Sequence, residues 1–491
     1  MYEFSPKNIL NWLKTMPMAA TLVSLVVGIL FSAEVDVAAW VWALVALLAG
    51  GLAVAMRGVR LPFALLAVYC FGAGLYAVSR PAVPPYDEPR RVVLRLLSES
   101  RSGERSESAS AEVLGGEGIE RGVCLRIYLP QGVHFSEGDR VEATLRIRRF
   151  DRSQGDYGRL MYHRGYVGVA FLNAQNIHSF VPSEGGSLHT RSVEQLRRAM
   201  PSGRARAVAM AMGVGERSEL TAETRTAYSR SGASHLLAVS GLHVGILFLV
   251  VNLLVWPLAL LRHGNAIGAV VALAVLWLYV FVCGVSPSAV RAAVMFSVAQ
   301  FCIASVRGYA SGNVLCATAF VMLVVKPDML FDLSFQMSML AVAGIIFWGV
   351  PAMRAVSISS RPLRMVADTM IIGTVSALWV APLVSHAFGV VSILGVALNP
   401  ILVLTAPVVL LATLLTLVLP LPVAMLTARV AEWAAVAQNE VVARTAEWSG
   451  SAVDYVASEW VLWAIYAFYG AITLVLAGFR RRKASLFQDI S

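Results

Sequence analysis

Three short polar clusters interrupt the long apolar runs in the second half of the chain. They are SHLLAVSGLHVG (234–245), GVSPSAVR (284–291) and FDLSFQMS (331–338). Polar side chains within apolar spans are costly and usually functional. Such groups can line an aqueous path or pair inside a helix bundle, and a serine beside a histidine can also form a nucleophile–base pair.

Local spacing indicates how the first two clusters are arranged. Ser240 and His243 are three residues apart, so on a helix they share a face. The neighbouring glycine favours a broken helix, whose freed backbone groups must face water or protein. In the second cluster Pro287 can occupy the first helical turn, and Arg291 follows one turn later. The third cluster gathers its aspartate and glutamine within one turn.

The elements that carry these clusters must be membrane helices. Of the 491 residues, 57% are hydrophobic and only 14% are charged, against about 25% charged in soluble domains. A spanning helix needs about 20 mostly apolar residues, and 17–33, 37–56 and 61–79 qualify in the N-terminal part. Lysines precede the first span, so the positive-inside rule predicts a cytoplasmic N-terminus and an extracytoplasmic stretch after Arg80.

The apolar pattern returns at residue 234. Candidate segments are 234–261, 265–283, 286–306, 311–326, 329–350, 366–386, 390–419 and 460–479. Eight full spans would leave the basic tail 480–491 outside, whereas its arginines favour the cytoplasm. We therefore expect one segment, most simply 390–419, to be split or re-entrant. The stretch 425–458 is amphipathic and is expected on the membrane surface or against the bundle.

Between the two membrane regions, the sequence pattern predicts a small strand-rich domain at 81–185. Apolar and polar residues alternate in 121–130 and 140–150, and 166–172 is apolar on both faces. Short strands joined by glycine-containing turns predict a small β-barrel. An amphipathic helical connector is expected at 186–233. The fold class is thus a mostly α, polytopic membrane helix bundle with a small inserted extracytoplasmic β-barrel, which we describe as OB-like.

Cofactor and motor signals are not found in the sequence. The five cysteines show no CxxC or zinc-ligand spacing, and no GxxxxGK[ST] phosphate loop occurs. We expect no metal, no cofactor, no catalytic residue and no enzymatic activity.

The three clusters, in this order, resemble those of the ComEC/Rec2 family of competence proteins, in a form without the C-terminal metallo-β-lactamase-like domain. HLLAVSGLHVGIL is close to the most specific family signature, and SPSAVRAAVM and LFDLSFQMSMLAVAGI match the next two motifs. The resemblance covers about 200–420 well and extends more weakly to the N-terminal part. It implies the following domains: 1–80 N-terminal transmembrane helices, 81–185 OB-like domain, 186–233 connector, 234–479 channel domain and 480–491 cytoplasmic tail.

The resemblance also implies a function, an inner-membrane channel that carries single-stranded DNA into the cytoplasm during natural transformation. The implied channel-lining or structural polar residues are His235, Ser240, Gly241, His243, Pro287, Arg291, Asn313, Asp332 and Gln336. Arginines interleaved with aromatic residues suit single-strand binding, and the OB-like candidates are Arg126, Tyr128, Arg146 and Arg148. Implied partners are single-stranded DNA, membrane lipid, a periplasmic DNA receptor, cytoplasmic single-strand-binding or motor proteins, and a separate nuclease.

Other interpretations of the same residues stay open. Ser240 and His243 can be a helix–helix hydrogen-bonded pair, and Arg291 can be a buried cation paired with Asp332. The basic face of the OB-like domain can be ordinary solvated surface. A small-molecule or lipid transporter is the main alternative function, and an intramembrane serine hydrolase using a Ser240–His243 dyad is a further one. The Ser240→Ala substitution distinguishes the hydrolase hypothesis from the channel hypothesis, because only a hydrolase requires the hydroxyl group for its activity.

Overall fold

A computed structural model shows how the chain is arranged. It describes residues 16–80, 88–97, 101–102, 106–116, 118–130, 135, 138–150, 155–182, 187–305, 311–392, 395–448 and 452–488. The chain divides into two compact units, one of 1–191 with 316–335 and the other of 192–315 with 336–491. We refer to them as unit 1 and unit 2.

Unit 1 begins with three apolar helices, α1 (Pro17–Glu34), α2 (Ala39–Ala55) and α3 (Arg60–Ser79). Helices α1 and α3 approach closely because each presents a glycine to the backbone of the other. A Cβ atom added to Gly72 would lie 2.6 Å from the Leu25 carbonyl oxygen, and one on Gly28 would meet the Tyr69 carbonyl. Small residues at such crossings allow tight van der Waals packing between membrane helices.

The strand-rich part of unit 1 is one mixed sheet of eight strands. The strands are β1 (Arg90–Leu96), β2 (Arg101–Ser102), β3 (Glu107–Gly116), β4 (Cys124–Leu129), β5 (Arg140–Leu145), β6 (Arg148–Arg149), β7 (Tyr166–Phe171) and β8 (Ile177–Val181). Their order is β6-β7-β4-β3-β1-β5-β8, with β2 paired to β3. Among the strands that the structure describes, only β4 and β7 pair in parallel, and helix α4 (Gly155–His163) precedes β7.

The alternation predicted from sequence matches the burial of these strands. Leu125, Ile127 and Leu129 of β4 are buried, and so are Val141 and its alternate neighbours on β5. Strands β5 and β6 are two residues apart in sequence yet lie near opposite ends of the pairing order, so the sheet must curve strongly. The small N-terminal sheet is confirmed. A separate domain at 81–185 and closure of the sheet into an OB-like barrel stay predictions.

Unit 2 consists mainly of helices. They are α5 (Leu188–Ala199, with its first residues in unit 1), α6 (Arg204–Gly213), α7 (Ala222–Arg230), α8 (Gly241–Val255), α9 (Gly264–Val282), α10 (Pro287–Ser305), α11 (Ser311–Val325, continuing into unit 1), α12 (Leu333–Gly344), α13 (Val350–Ala355), α14 (Arg361–Phe388), α15 (Gly395–Val418), α16 (Leu421–Ala446) and α17 (Glu459–Gln488). A π-helical turn, Ile345–Gly349, joins α12 to α13. The helical connector expected before residue 234 is thus present as three helices.

Helix α6 lies at the centre of the unit 2 core, packed by α15 and α16. Its sequence RARAVAMAMG has small residues that allow close approach, and a Cβ on Gly213 would lie 2.5 Å from the Thr413 Cγ2 atom. Beside α6, the fully buried Gln438 donates to the Tyr228 hydroxyl at 3.3 Å, and that hydroxyl donates to Asn439 Oδ1 at 2.7 Å. Because buried polar groups require partners, this network fixes α7 against α16.

Seven helices within the described residues are long and apolar enough to cross a membrane. They are Pro17–Glu34, Arg60–Ser79, Gly241–Leu260, Gly264–Val282, Leu333–Ala355, Arg361–Phe388 and Glu459–Leu476. A multi-pass membrane protein is therefore confirmed in outline. The questioned segment 390–419 contains a break: strand β9 (Val390–Ser392) pairs with β10 (Ala452–Asp454), and α15 follows as one helix. Helix α16 packs on α6 and α15, so the stretch 425–458 does lie against the bundle in part.

Candidate functional site

The first polar cluster forms the N-terminal cap of α8. A 3₁₀ turn, Ser234–Leu237, is followed by extended backbone, and the helix begins at Gly241 with Ser240 as its N-cap. The Ser240 hydroxyl accepts the His243 backbone N–H at 3.4 Å, and the Ser240 backbone N–H donates to His243 Nδ1 at 3.1 Å. This reciprocal pattern is a capping box, which satisfies two backbone donors at once.

The cap determines the chemical state of the histidine ring. Since Nδ1 accepts a backbone N–H, the neutral ring carries its hydrogen on Nε2. His243 is 0% exposed, and Nε2 has no hydrogen-bond partner among the residues that the structure describes. The Ser240 hydroxyl also lies 3.1 Å from Nδ1. A serine–histidine contact therefore exists, but the same atoms already serve the backbone at the helix end.

His235 and Gly241 lie at the surface of this turn. His235 Nδ1 is 3.2 Å from the Gly232 carbonyl oxygen, and its side chain is exposed. Gly232 has φ of +78°, and a Cβ atom there would lie 2.7 Å from Ser392 Oγ. The positive φ and the close contact each require glycine at position 232. The backbone just before the first cluster therefore packs directly against Ser392 of β9.

The second cluster is a strained turn followed by α10. Gly284 and Val285 both have positive φ, +62° and +51°, and a β-branched residue rarely adopts that conformation. The Val285 N–H donates to the Val280 carbonyl at 2.9 Å, which closes α9 in the manner of a Schellman cap. Helix α10 then begins at Pro287, as predicted, and Arg291 on its second turn is only 5% exposed.

Three loops of unit 2 converge beside these two clusters. A Cβ atom on Gly215, after α6, would lie 3.4 Å from Val239 Cγ2 and 3.6 Å from the Cys283 carbonyl oxygen. The Cys283 thiol approaches the Gly213 carbonyl at 3.9 Å. The first and second polar clusters are thus brought together around one packed centre, although they are about 45 residues apart in sequence.

The third cluster extends over the boundary of the two units. Asp332, in unit 1, accepts the Ser334 backbone N–H at 3.0 Å at the start of α12 and lies 3.8 Å from the Arg164 guanidinium. Gln336, on the first turn of α12, and Asn313, on α11, are half-buried in unit 2. Pairing of Arg291 with Asp332 stays a prediction.

Sequence reasoning missed a buried aromatic cluster in unit 1. The Tyr76 hydroxyl lies 2.6 Å from His163 Nδ1, and the His163 ring stacks on Phe331 with centroids 4.5 Å apart. Nearby, the Ser79 hydroxyl donates to Asp328 at 3.1 Å, and burial raises the pKa of the Asp328 carboxyl group. The end of α3, the end of α4 and the turn before Asp332 therefore form one contact. Only the spatial proximity of three distant segments reveals it.

Two of the four proposed DNA contacts lie together on the outer face of the sheet. Tyr128 stacks on Phe171 with centroids 5.6 Å apart and rings inclined by 25°, and its hydroxyl lies 2.9 Å from the Tyr157 hydroxyl. Arg126 donates to Ser108 Oγ at 2.7 Å beside them. Burial and the Tyr128 contact raise the pKa of Tyr157 to about 12, so the phenol stays neutral. We call Arg126, Tyr128, Tyr157 and Phe171 the aromatic strip.

The other two arginines lie at the edge of the same domain. Arg148 is exposed on β6, opposite Val169 of β7, and Arg146 is exposed in the short link between β5 and β6. Across the described residues, no group of three or more His, Cys, Asp or Glu side chains is arranged to hold a metal ion.

Taken together, these features define a class: a multi-pass membrane protein with a small N-terminal sheet and polar turns between its helices. The family model for competence proteins, described as "Competence protein", matches residues 212–482, more than half of the chain. The chain belongs to the competence protein family. All nine proposed channel residues, from His235 to Gln336, lie inside the matched region.

Three curated relatives cover smaller parts. The chain is 30% identical to ComE operon protein 3 of Bacillus subtilis over 40% of its own length and 24% of that protein. It is 33% identical to an uncharacterized protein of Aquifex aeolicus over 29% of its length and 33% of the relative. It is 25% identical to the uncharacterized protein YcaI of Escherichia coli over 50% of its length and 32% of the relative. The matches thus span about a third or less of each relative. No solved structure matches.

Proposed function

We propose that the protein takes part in DNA uptake and carries a single DNA strand across the bacterial inner membrane. The observation that carries the proposal is the family match over 212–482, which contains every polar cluster. A DNA strand bears one phosphate per nucleotide, and moving such charge through hydrocarbon is prohibitive. The helix start at Ser240 and the turn at Val285 between α9 and α10 supply polar backbone and side chains that can face an aqueous path.

The aromatic strip supports a role for the sheet domain in holding the strand. Tyr157 and Phe171 are about half exposed, and Arg126 lies next to the stacked pair. Aromatic rings and guanidinium groups bind single strands without sequence preference, at about 1–3 kcal/mol per stacked base. In this proposal the sheet domain is OB-like and lies outside the membrane, and both chain termini are cytoplasmic.

The proposed partners follow from the steps that a channel does not perform: delivering the DNA, producing a single strand and pulling it inward. We propose that a periplasmic DNA receptor delivers the strand, and that a cytoplasmic single-strand-binding or motor protein pulls or traps it. A separate nuclease would supply the single strand. The protein itself acts as a channel in this proposal and not as an enzyme.

An intramembrane serine hydrolase is the alternative function that one distance favours. Ser240 Oγ lies 3.1 Å from His243 Nδ1, within the hydrogen-bond reach that a nucleophile and its base need. The capping box explains that distance without catalysis, because Nδ1 and Oγ each also bind a backbone N–H. We therefore place the channel before the hydrolase. A small-molecule or lipid transporter is the third hypothesis.

Uptake of labelled DNA by a deletion strain tests the channel. We expect surface binding to persist and internalisation to disappear, and wild-type protein should restore it. Arg291→Glu should abolish rescue and Arg291→Lys should retain part of it, because only the second keeps the buried cation. Arg354→Glu is the control, since Arg354 is an exposed arginine at a helix end. Normal internalisation in the deletion strain would refute the channel.

Strand binding by purified full-length protein tests the aromatic strip separately. Tyr128→Ala and Phe171→Ala should each weaken single-stranded DNA binding about tenfold, as expected for the loss of one stacked base. Phe180→Ala is the matched control, an exposed aromatic residue on β8 at the other end of the sheet. Equal effects of all three substitutions would contradict a specific role for the strip.

A further inference from the structure

Helix α16 has two apolar faces, and the described residues cover only one of them. Alanines at 424, 428, 431 and 435 are buried on the side that packs against α6 and α15. The opposite side exposes large residues, with Leu426 66% and Trp433 71% exposed. Large exposed apolar faces require an apolar covering. In a chain with several membrane helices, acyl chains of lipid can provide it.

Two charged residues lie in a cleft on this exposed side. The cleft, of about 330 Å³, is lined by Ala199 at the end of α5, by Pro201 after it, and by Met425, Arg429, Glu432 and Trp433 of α16. Arg429 and Glu432 are three residues apart, so they occupy neighbouring positions on the helix. Within the described part of the chain, neither one forms an ion pair with the other or with any other residue.

This arrangement differs from the ion pair between Arg444 and Glu440, which lies more than two turns further along the same helix. There Arg444 donates to Glu440 at 2.7 Å, and the two side chains form an ion pair. Charged groups on a lipid-facing surface are costly unless they are paired. A cation and an anion three residues apart on one helix, beside an indole ring and an apolar face, match a ligand that has both charges and acyl chains.

We propose that this cleft binds the headgroup of phosphatidylethanolamine, with Arg429 on the phosphate and Glu432 on the primary ammonium. A guanidinium group forms strong charge-assisted hydrogen bonds to phosphate. The ammonium has three N–H donors for Glu432, whereas the trimethylated ammonium of phosphatidylcholine has none. Phosphatidylglycerol satisfies Arg429 but has no cation for Glu432. Trp433 lies beside the headgroup, as indole rings do at membrane interfaces, and Leu426 and Met425 contact the acyl chains.

Native mass spectrometry of the full chain, released from mixed micelles of defined lipid, tests the site. Wild-type protein should retain one phosphatidylethanolamine about tenfold more strongly than phosphatidylcholine or phosphatidylglycerol. Arg429→Gln should weaken retention of all three lipids. Glu432→Gln should remove the preference for phosphatidylethanolamine over phosphatidylcholine and leave phosphate binding in place. The control, Glu440→Gln with Arg444→Gln on the same helix, should change nothing.

Several results would overturn the proposal. Equal retention of the three lipids by wild-type protein would do so, as would an unaltered preference in Glu432→Gln. Displacement by glycerophosphoethanolamine, which lacks acyl chains, at the concentration of the lipid would show a soluble ligand instead. A dimer mass that disappears in Trp433→Ala, without bound lipid, would show a second copy of the chain on this face.

Discussion

The reciprocal cap at the start of α8 predicts that Ser240 tolerates asparagine but not alanine. Asparagine can accept the His243 backbone N–H through its side-chain oxygen, and alanine cannot. Loss of a serine N-cap costs about 1 kcal/mol, within a range of about 0.5–2 kcal/mol. Because 1.4 kcal/mol is a factor of ten in an equilibrium constant, local opening of the first turn should increase about fivefold.

Amide hydrogen exchange of the purified protein measures this opening directly. In Ser240→Ala, the amides of the first turn of α8, including that of His243, should exchange about fivefold faster than in wild-type protein. In Ser240→Asn they should exchange at nearly the wild-type rate. His243→Gln should also keep the protection, because glutamine is a standard partner at the third position of a capping box.

The same variants distinguish positioning from catalysis. Ser240→Asn has no hydroxyl nucleophile and His243→Gln has no imidazole base, so a hydrolase would lose its activity in both. A channel should keep DNA uptake in both and lose part of it in Ser240→Ala. If Ser240→Asn exchanges as fast as Ser240→Ala, the cap interpretation is wrong. If both conservative variants keep protection but abolish uptake, side-chain chemistry at this turn is required.

Two predictions concern unit 1. His163→Ala should lower stability by about 1–3 kcal/mol, because the buried Tyr76 hydroxyl loses this hydrogen-bond partner. Thermal unfolding in detergent measures the loss, and an unchanged midpoint would show that the contact contributes nothing. Burial, then the nearby Glu112 carboxylate, raises the pKa of the Cys124 thiol. Since the thiolate is the reactive form, alkylation should still accelerate above pH 9, and a plateau below that pH would refute the shift.

Much of the outline can be obtained from the sequence, because burial in a bilayer and burial in a sheet impose periodicities on neighbouring residues. Seven of the eleven apolar segments predicted from the sequence coincide with helices of the described residues that are long and apolar enough to span a membrane. The alternation around Ile127 and Val141 predicted buried strand faces. Pro287 marked the first turn of α10 because its fixed φ suits that position. The three polar clusters were visible for the same reason, since each interrupts an apolar pattern.

The position of Ser240 outside the helix was not evident from its spacing to His243. Histidine is not the usual partner in a capping box, so the pattern indicated a shared helical face instead. Similarly, α6 carries arginines at its start and was expected to be amphipathic, yet from Ala207 to Gly213 it is buried throughout. Its small side chains permit that burial, but the helices that surround it come from residues about 200 positions later.

What only the tertiary structure decided is which distant groups meet. Tyr76 and His163 are 87 residues apart, and Gly215, Val239 and Cys283 come from three separate turns. Local patterns indicate which face of a helix or strand is apolar, because apolar residues repeat with the period of that element. They do not record the partner, because a hydrogen bond or a ring contact between segments depends on how whole helices and sheets pack. The sequence by itself therefore located the long apolar helices, several of the strands and the polar turns, and packing determined the contacts those turns make.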